Sequence, residues 1–366
     1  MPFGSISVDK IENSDGFTLG GSGAAMKNRI INGGMNISQR NTSYTSANSE
    51  NNDDVYVLDR FYILSDGNDA IDVTQTTTVP TGAKFSIGLD VETTNKKFGI
   101  AQIIENANCF DAIGGAVTLS FQAKVSSTTK LDNIKCAIVA WSGTVDSVTS
   151  DIISAWEAEG TNPTLIADAT YENTPANLNV TTNFATYSVT ANVDTASTKN
   201  IIVFIWSDVT DTTAGDFLYI TNIQLERGST ATSFDYRPFG TELALCQRYY
   251  ETSFNLGTAP QAGVAIGNSS GHNITAYGAT TSRSGNIPFA VSKRTAPAIT
   301  FYRTSLSASN DSSWQWFNGS AWTNTATATV IVTATCQSFQ AEVTSASMTS
   351  NYSYIAVGNW VASSEL

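Results

Sequence analysis

Between Val117 and Val125, apolar and polar residues alternate without exception in the sequence VTLSFQAKV. Val, Leu, Phe and Ala occupy every second position, and Thr, Ser, Gln and Lys stand between them. A period of two places all apolar side chains on one face of a β-strand, whereas a helix would spread them around its axis. The pattern therefore predicts a strand with one face in a core and one face towards solvent.

Other segments repeat the strand signal in two forms. Cys136–Trp141 and Ile201–Trp206 are almost continuously apolar, which predicts strands covered on both faces. Phe217–Leu225 alternates again, with Phe217, Tyr219, Thr221, Ile223 and Leu225 predicted on one side. Many short strands separated by turn residues indicate β-sandwiches in both halves of the chain, so we expect an all-β protein.

The length of 366 residues favours two domains, because a single core usually stops growing at about 250 to 300 residues. The Pro/Gly break at Arg237–Gly240 predicts the boundary between them. We expect an N-terminal arm at 1–27, a β-domain at 28–239, a helical connector at 240–252 and a C-terminal β-domain at 253–366. The glycine-rich arm has too few large apolar residues to form a core of its own.

Two segments carry helix signals. Asp151–Glu159 has Asp as a potential N-cap, apolar residues at helical spacing, and Gly160 and Pro163 beyond its end. Glu242–Glu251 places apolar residues on two adjoining faces, more than one β-domain normally covers, so we expect a face free for neighbouring copies of the chain. The apolar connector residues are Leu243, Leu245, Cys246, Tyr249 and Tyr250.

Composition argues against several classes of partner. The 19 basic and 32 acidic residues give a net charge of -13, which disfavours binding to nucleic acid and to anionic membranes. The strongly apolar runs are much shorter than a membrane-spanning helix, so we expect no membrane insertion. The opening MPFGSISVDK lacks a basic start followed by an apolar run, so we expect no secretory signal.

Catalytic patterns are weak. The single histidine, His272, lies in the polar stretch 268–275, which predicts a surface loop, and no nucleophile elbow is present. Four widely spaced cysteines predict buried small side chains rather than a zinc site. Carboxylate pairs such as Glu157 with Glu159, or Asp208 with Asp211 and Asp216, leave a glycan-cleaving depolymerase as a disfavoured alternative. We expect a protein that is not an enzyme.

The segment Trp314–Trp322, WQWFNGSAW, is rich in aromatic residues. Asn318-Gly319 predicts a two-residue hairpin turn that pairs Trp316 with Ala321 and Gln315 with Trp322. Trp314 and Trp316 then lie on one face, and Phe317 and Trp322 on the other. One core cannot bury both faces, so we expect one of them to contact a glycan or an adjacent subunit; a loop that covers its own domain is the alternative.

Two segments resemble bacteriophage tail-fibre and related virion fibre proteins. The first is 28–40, NRIINGGMNISQR, followed by LDRF at 58–61. The second is 219–250, which is similar to the end of a jelly-roll module of carbohydrate-binding-module ancestry leading into a C-terminal head. The opening MPFGSISVDKIENSDG also resembles virion proteins of aquatic phages.

This resemblance implies a jelly-roll β-sandwich at 28–239, followed by a second, smaller β-sandwich. It implies a homotrimeric virion protein, made in the host cytoplasm, whose residues 1–27 contact other virion proteins and whose head binds host surface polysaccharide. In such jelly rolls acidic residues often hold calcium, and the matching positions here are the neutral Asn36 and Asn222. A head fibre or capsid decoration protein and a cellular carbohydrate-binding adhesin remain alternatives.

Overall fold

The computed structural model describes residues 11–12, 18–19, 26–47, 50–264, 271–304, 313–324, 327–330, 334–345 and 348–366, and gives only the backbone at 11–12, 18–19, 324 and 327–330. Strands β1 (Ile11–Glu12) and β2 (Thr18–Leu19) form an antiparallel pair. Most of the predicted virion anchor, 1–27, lies outside the described residues. The described chain is built almost entirely of antiparallel strands, which confirms the all-β prediction.

The first β-unit, the first sandwich, has its strands between Ser43 and Arg227, and Ile30 and Met35 of the preceding segment pack in its core. Its strands are β3 (Ser43–Tyr44), β4 (Tyr62–Ser65), β5 (Ile71–Thr76), β6 (Ser86–Val91), β7 (Phe98–Ile104), β8 (Ala116–Val125), β9 (Ile134–Trp141), β10 (Ile153–Ala155), β11 (Thr164–Leu165), β12 (Ala169–Tyr171), β13 (Ala185–Asn192), β14 (Asn200–Ser207) and β15 (Phe217–Arg227), and helix α1 (Asn106–Cys109) follows β7. One sheet has five strands in the order β12-β9-β14-β7-β4, and the other has six in the order β13-β8-β15-β6-β5-β3. Successive strands β7, β8 and β9 alternate between the sheets, as in a jelly roll.

The core between these two sheets confirms the alternation pattern of β8. Its five apolar side chains, from Val117 to Val125, are all buried there. Every residue of β9 and of β14 is buried, as the continuous apolar runs predicted. The outer face of the five-stranded sheet is covered by a second apolar cluster that includes Phe204 and Trp206.

The predicted face of Phe217–Leu225 is wrong for half of the strand. Leu218 and Ile220 point into the core rather than Phe217 and Tyr219. A β-bulge between Thr221 and Gln224 then shifts the register, so that Ile223 and Leu225 are buried as predicted. An inserted residue reverses the face of all following side chains, and alternation within one strand does not show where it occurs.

The predicted helix at Asp151–Glu159 is also wrong, because the segment is extended and contains β10. Its apolar side chains do not need a helix to be buried. Ile152 and Ile153 pack against the outer face of the five-stranded sheet, and the ring of Trp156 lies 6.0 Å from that of Phe204. Tertiary packing therefore overrides the local helix signal.

The connector helix is present but is displaced from its predicted position. Helix α2 (Phe239–Gln247) begins after Pro238 and ends at Arg248. The next residues, Tyr250–Thr252, form β16 rather than helix, because they pair with a strand near the end of the chain, Tyr250 opposite Ser363. Within the described residues neither helix has the length and hydrophobicity of a membrane span.

The second β-unit follows α2. Its strands are β16 (Tyr250–Thr252), β17 (His272–Ala276), β18 (Thr281–Ser284), β19 (Ile287–Pro288), β20 (Ala298–Tyr302), β21 (Gln315–Phe317), β22 (Trp322–Asn324), β23 (Thr327–Val330), β24 (Ser338–Phe339), β25 (Ala341–Thr344), β26 (Ser353–Val357) and β27 (Asn359–Ser363). A seven-stranded sheet, β22-β21-β26-β17-β18-β25-β23, packs on a three-stranded sheet, β16-β27-β20, and β19 pairs with β24. This arrangement confirms the prediction of a second β-sandwich.

Contacts between the two sandwiches extend beyond α2. Glu365 forms ion pairs with Arg40 and Arg60 of the first sandwich. Arg248, after α2, pairs with Glu105 at 2.6 Å, and the Tyr249 hydroxyl donates to the same carboxylate at 2.6 Å. Burial by itself would raise the pKa of Glu105. The hydrogen bonds from Arg248 and Tyr249 outweigh this effect, so the pKa of Glu105 is lowered.

Candidate functional site

One face of the seven-stranded sheet points away from the core of the second sandwich. We call it the head face and define it by eight side chains on six neighbouring strands. They are Asn273, Thr275, Arg283, Phe317, Trp322, Glu342, Ser353 and Ile355. Since a sheet holds these residues in fixed register, the face is a preorganised surface rather than a set of loops.

One end of the head face is apolar. Phe317 lies directly opposite Trp322 on one side and Ile355 on the other. The rings of Phe317 and Trp322 are 5.5 Å apart, centroid to centroid, and tilted by 56°. Exposed fractions of 37% for Phe317, 49% for Trp322 and 48% for Ile355 leave a continuous apolar strip in contact with solvent.

The turn that carries this strip differs from the predicted one. Phe317 pairs with Trp322 and Trp316 with Thr323, so four residues rather than two connect the strands. The Asn318 side chain explains the change, because its Oδ1 accepts hydrogen bonds from the backbone N–H groups of Ser320 and Ala321, both at 2.9 Å. This Asx-type turn stabilises a longer loop. The pairing register moves by two residues, so each side chain keeps its predicted face.

Trp314 and Trp316 occupy the opposite, buried face. Trp314 is fully buried, and its Nε1 donates to the Asn359 carbonyl at 3.3 Å. Trp316 is 2% exposed and donates to the Ser345 hydroxyl at 2.9 Å. These two residues therefore build the core beneath the head face and do not contact an external ligand.

The other end of the head face is polar. The guanidinium of Arg283 lies 4.4 Å from the centroid of the Tyr277 ring, whose hydroxyl donates to Glu342. Nearer the apolar strip, the hydroxyls of Thr275 and Ser353 are 3.4 Å apart. Apolar rings and hydrogen-bonding groups thus share one surface, the combination that a sugar chain needs.

Ile355 and the polar residues of the head face were missed by the sequence analysis. Ser353–Val357 is apolar throughout after Ser353, so alternation gave no signal for an outward-facing Ile355. Ile355 lies beside Phe317 because β21 pairs with β26. The end of β21 at Phe317 and the start of β26 at Ser353 are 36 residues apart in the sequence. Pairing across such a distance is not encoded in local pattern.

The predicted loop position of His272 is wrong. This residue begins β17 and is largely enclosed. Its imidazole stacks on Trp314, with centroids 5.2 Å apart and planes at 17°. Nε2 is buried and has no hydrogen-bond partner among the described residues. Burial lowers the pKa of this histidine. It has no carboxylate or nucleophile beside it in the described contacts, so we assign it a packing role.

Asp208, one of the carboxylates weighed for glycan cleavage, is occupied in a buried ion cluster. It pairs with Lys97 and, at 2.6 Å, with Lys135, and all three side chains are at most 6% exposed. Glu159 accepts hydrogen bonds from Thr210. Asp208 and Glu159 are therefore engaged by lysine side chains and by Thr210 of the protein itself.

The thiols follow the prediction of small buried side chains only in part. Cys109, Cys136 and Cys246 are buried, whereas Cys336 is partly accessible. Burial raises the pKa of Cys109 and that of Cys136 to about 12, so both stay protonated at neutral pH.

The connector residues are partly covered by the chain itself. Cys246 and Tyr249 are fully buried, in a cluster with Ile31 and Ile37. Leu243 and Leu245 pack against the same cluster but stay partly accessible, and Tyr250 packs with Phe254. Contact of this helix with neighbouring copies of the chain therefore stays a prediction.

The possible calcium position near Asn36 and Asn222 stays a prediction. Asn222 lies at the bulge of β15 with a positive φ of 51°, and its Nδ2 donates to Gln122 at 2.7 Å. Its Oδ1 is buried and has no hydrogen-bond partner among the described residues. Calcium requires six to eight oxygen ligands, usually with carboxylates among them. Neutral amides supply no charge here, and the described residues contain no cluster of three potential His, Cys, Asp or Glu ligands.

No protein-family profile matches the sequence, and no curated protein sequence is similar to it. Among solved structures, the enzymatically active domain of tailspike protein 4 of bacteriophage CBA120 is 16% identical, with a TM-score of 0.32 over 55% of this chain. This chain spans only 22% of that tailspike chain.

Two carbohydrate-binding modules give similar values. A CBM4 module is 13% identical, with a TM-score of 0.28 over 54% of this chain and 98% of the module. The CBM22-1 xylan-binding domain of Paenibacillus barcinonensis Xyn10C is 12% identical, with a TM-score of 0.27 over 46% of this chain and 87% of that domain.

Proposed function

We propose that the chain is a non-enzymatic subunit of a phage particle that attaches it to bacterial surface polysaccharide through the head face. The observation that carries this proposal is the exposed strip of Phe317, Trp322 and Ile355 on a sheet whose neighbouring positions are polar. Aromatic faces stack on the C–H side of sugar rings, while Asn273 and Thr275 provide hydrogen-bonding groups beside them. The sequence resemblance of 28–40 and 219–250 to virion fibre proteins supports the particle context.

The proposed assembly is a homotrimer joined to the particle through residues 1–27 after synthesis in the host cytoplasm. Three identical head faces on one rigid body raise apparent affinity by roughly 10² to 10⁴ when they engage together, without any new contact. Weak binding by a single shallow face is therefore sufficient for attachment.

The binding test compares three variants on immobilised bacterial lipopolysaccharide O-chains and capsular polysaccharides. Trp322→Ala and Phe317→Ala should each weaken binding by at least about tenfold, because exposed aromatic anchors dominate such surfaces. Phe110→Ala is the matched control, since Phe110 is 63% exposed but belongs to the first sandwich. Equal binding by all three variants, or no binding by the unmodified protein, would refute glycan attachment through the head face.

Two further measurements separate the alternatives. Light scattering of Trp322→Ala should show the same trimer mass as the unmodified protein; conversion to a 39 kDa monomer would assign the strip to subunit contact instead. Gold-labelled antibodies on intact particles should mark the tail. Labelling of the capsid would support the head-fibre alternative, and unlabelled particles would contradict a virion role.

A further inference from the structure

A second concave site lies where the two sandwiches meet. It is an open cavity of about 360 Å³, within the range of small-molecule sites. The first sandwich contributes residues from 40–56, and the second contributes residues from β16, β20 and β27. Its charged and aromatic lining includes the side chains of Arg40, Glu50, Tyr56, Tyr250 and Tyr302. We call this cavity the junction pocket.

The walls of the junction pocket are held in place by their own contacts. The Arg40 guanidinium lies 3.7 Å from the centroid of the Tyr250 ring and pairs with Glu365 at 2.9 Å. The ring of Tyr302 meets Phe254 edge to face, with centroids 5.4 Å apart. A site with fixed walls loses little conformational freedom when a ligand enters.

Several polar groups of the pocket have unused hydrogen-bonding capacity. Glu50 accepts one hydrogen bond, from the Asn41 side chain to Oε2 at 3.0 Å, which leaves Oε1 available. The hydroxyls of Tyr250 and Tyr302 donate to none of the described residues. Nη1 of Arg40 is buried and likewise has no acceptor there. The pocket thus presents both donors and an acceptor to an occupant.

The charges of the residues around the junction pocket restrict the class of ligand that it can bind. Arg40 and Arg60 share the carboxylate of Glu365, and the carboxylate of Asp59 also acts on Arg40, so the two positive charges are balanced by two negative ones. Glu50 is the other charged group among the lining residues, so an anion finds no excess positive charge. A cation is disfavoured as well, because Arg40 already occupies the aromatic faces of Tyr250 and, at 5.4 Å, of Tyr56. A neutral ring with several hydroxyls fits both the rings and the mixed hydrogen-bonding groups, because each hydroxyl both donates and accepts.

We infer that the junction pocket binds one neutral sugar ring between the two sandwiches. This site is separate from the head face, and the inference does not depend on the proposed function. A monosaccharide is small, so the expected Kd is on the order of 1 mM. Because both sandwiches line the pocket, occupancy should also stabilise their junction.

The test uses glucose, galactose, mannose and N-acetylglucosamine, measured one at a time by saturation-transfer NMR with the full chain. At least one sugar should bind, and Tyr302→Phe, which removes only a hydroxyl, should weaken that binding about five- to tenfold. Glu50→Gln should weaken it as well, while Trp322→Ala should not. Unchanged near-ultraviolet circular dichroism of each variant shows that the fold is retained.

Three outcomes would overturn the inference. None of the four sugars binds at about ten times the expected Kd; glucuronate or glucosamine binds more tightly than its neutral counterpart; or Trp322→Ala abolishes the binding, which would place the sugar on the head face. Loss of polysaccharide binding in Trp322→Ala with intact monosaccharide binding would support both sites independently, so failure of either proposal is visible without the other.

Discussion

The imidazole of His272 stacks on the indole of Trp314, with centroids 5.2 Å apart, and its buried Nε2 has no hydrogen-bond partner in the part of the chain that the structure describes. The pair forms part of the support beneath the head face. Adding a proton to this imidazole would create a charge in an enclosed place, which is why burial lowers its pKa.

Stability of the second sandwich should therefore depend on pH through His272. As the pH falls below the ordinary histidine value of 6.5, the unfolded chain binds a proton before the folded chain does. The free energy of unfolding then decreases until the lowered folded pKa is passed. Urea denaturation at a series of pH values should show a steeper decrease in the unmodified protein than in His272→Gln, in which other groups such as Asp54 and Asp90 still titrate near pH 6. Identical pH slopes for the two proteins would contradict the prediction.

Trp316 and Trp322 lie on the two strands of the same hairpin and have opposite roles. Trp316→Ala should destabilise the second sandwich by about 3 to 5 kcal/mol, because the side chain is 2% exposed and leaves a large cavity. Trp322→Ala should cost less than about 1 kcal/mol, since the indole is half exposed. Chemical denaturation followed by circular dichroism distinguishes them. Equal losses would mean that Trp322 belongs to the core rather than to a binding surface.

Gly358 allows the Trp314 indole to pack directly on the backbone. A Cβ at this position would lie 1.9 Å from Cδ1 of Trp314, a contact that the enclosed ring cannot avoid. Gly358→Ala should lower stability by more than about 2 kcal/mol through overpacking. Gly240→Ala is the control, because nothing lies within 4 Å of its Cβ, and α2 should gain up to about 1 kcal/mol. A Gly358→Ala protein with unchanged thermal stability would show that the ring can move.

The buried carboxylate of Asp208 should matter far more than an exposed one. Asp208→Asn leaves Lys97 and Lys135 without their counter-charge in an enclosed site and should cost about 3 to 5 kcal/mol. Asp211→Asn breaks an accessible pair with Lys130 and should cost less than about 1 kcal/mol. Denaturation midpoints of the two variants test the contrast; similar values would mean that water reaches the cluster.

The spacing of apolar residues along the sequence correctly predicted several strands and the faces that they bury. Alternation in β8 identified the core side chains, and continuous hydrophobicity identified β9 and β14 as strands buried on both faces. Alternation also predicted that Trp316 and Trp322 lie on opposite faces, although not which face is buried, because a register change of two residues preserves side-chain direction.

What could not be predicted depends on distant contacts. The segment at Asp151–Glu159 is extended because a sheet elsewhere in the chain covers its apolar side chains. The bulge in β15 lies in its pairing with β8. Ile355 lies beside Phe317 on the head face because β26 pairs with β21. The junction pocket joins residues as distant as Arg40 and Tyr302, so no local signal could have indicated it.

Glu365 gives the molecule a mechanical property. Its ion pairs with Arg40 and Arg60 add contacts that are separate from the covalent path through α2, so the two sandwiches are held together at more than one place. A single flexible connection acts as a swivel, whereas two separated ones resist both bending and torsion. A sideways force on the second sandwich would be carried partly by these ion pairs. The two sandwiches would therefore turn together.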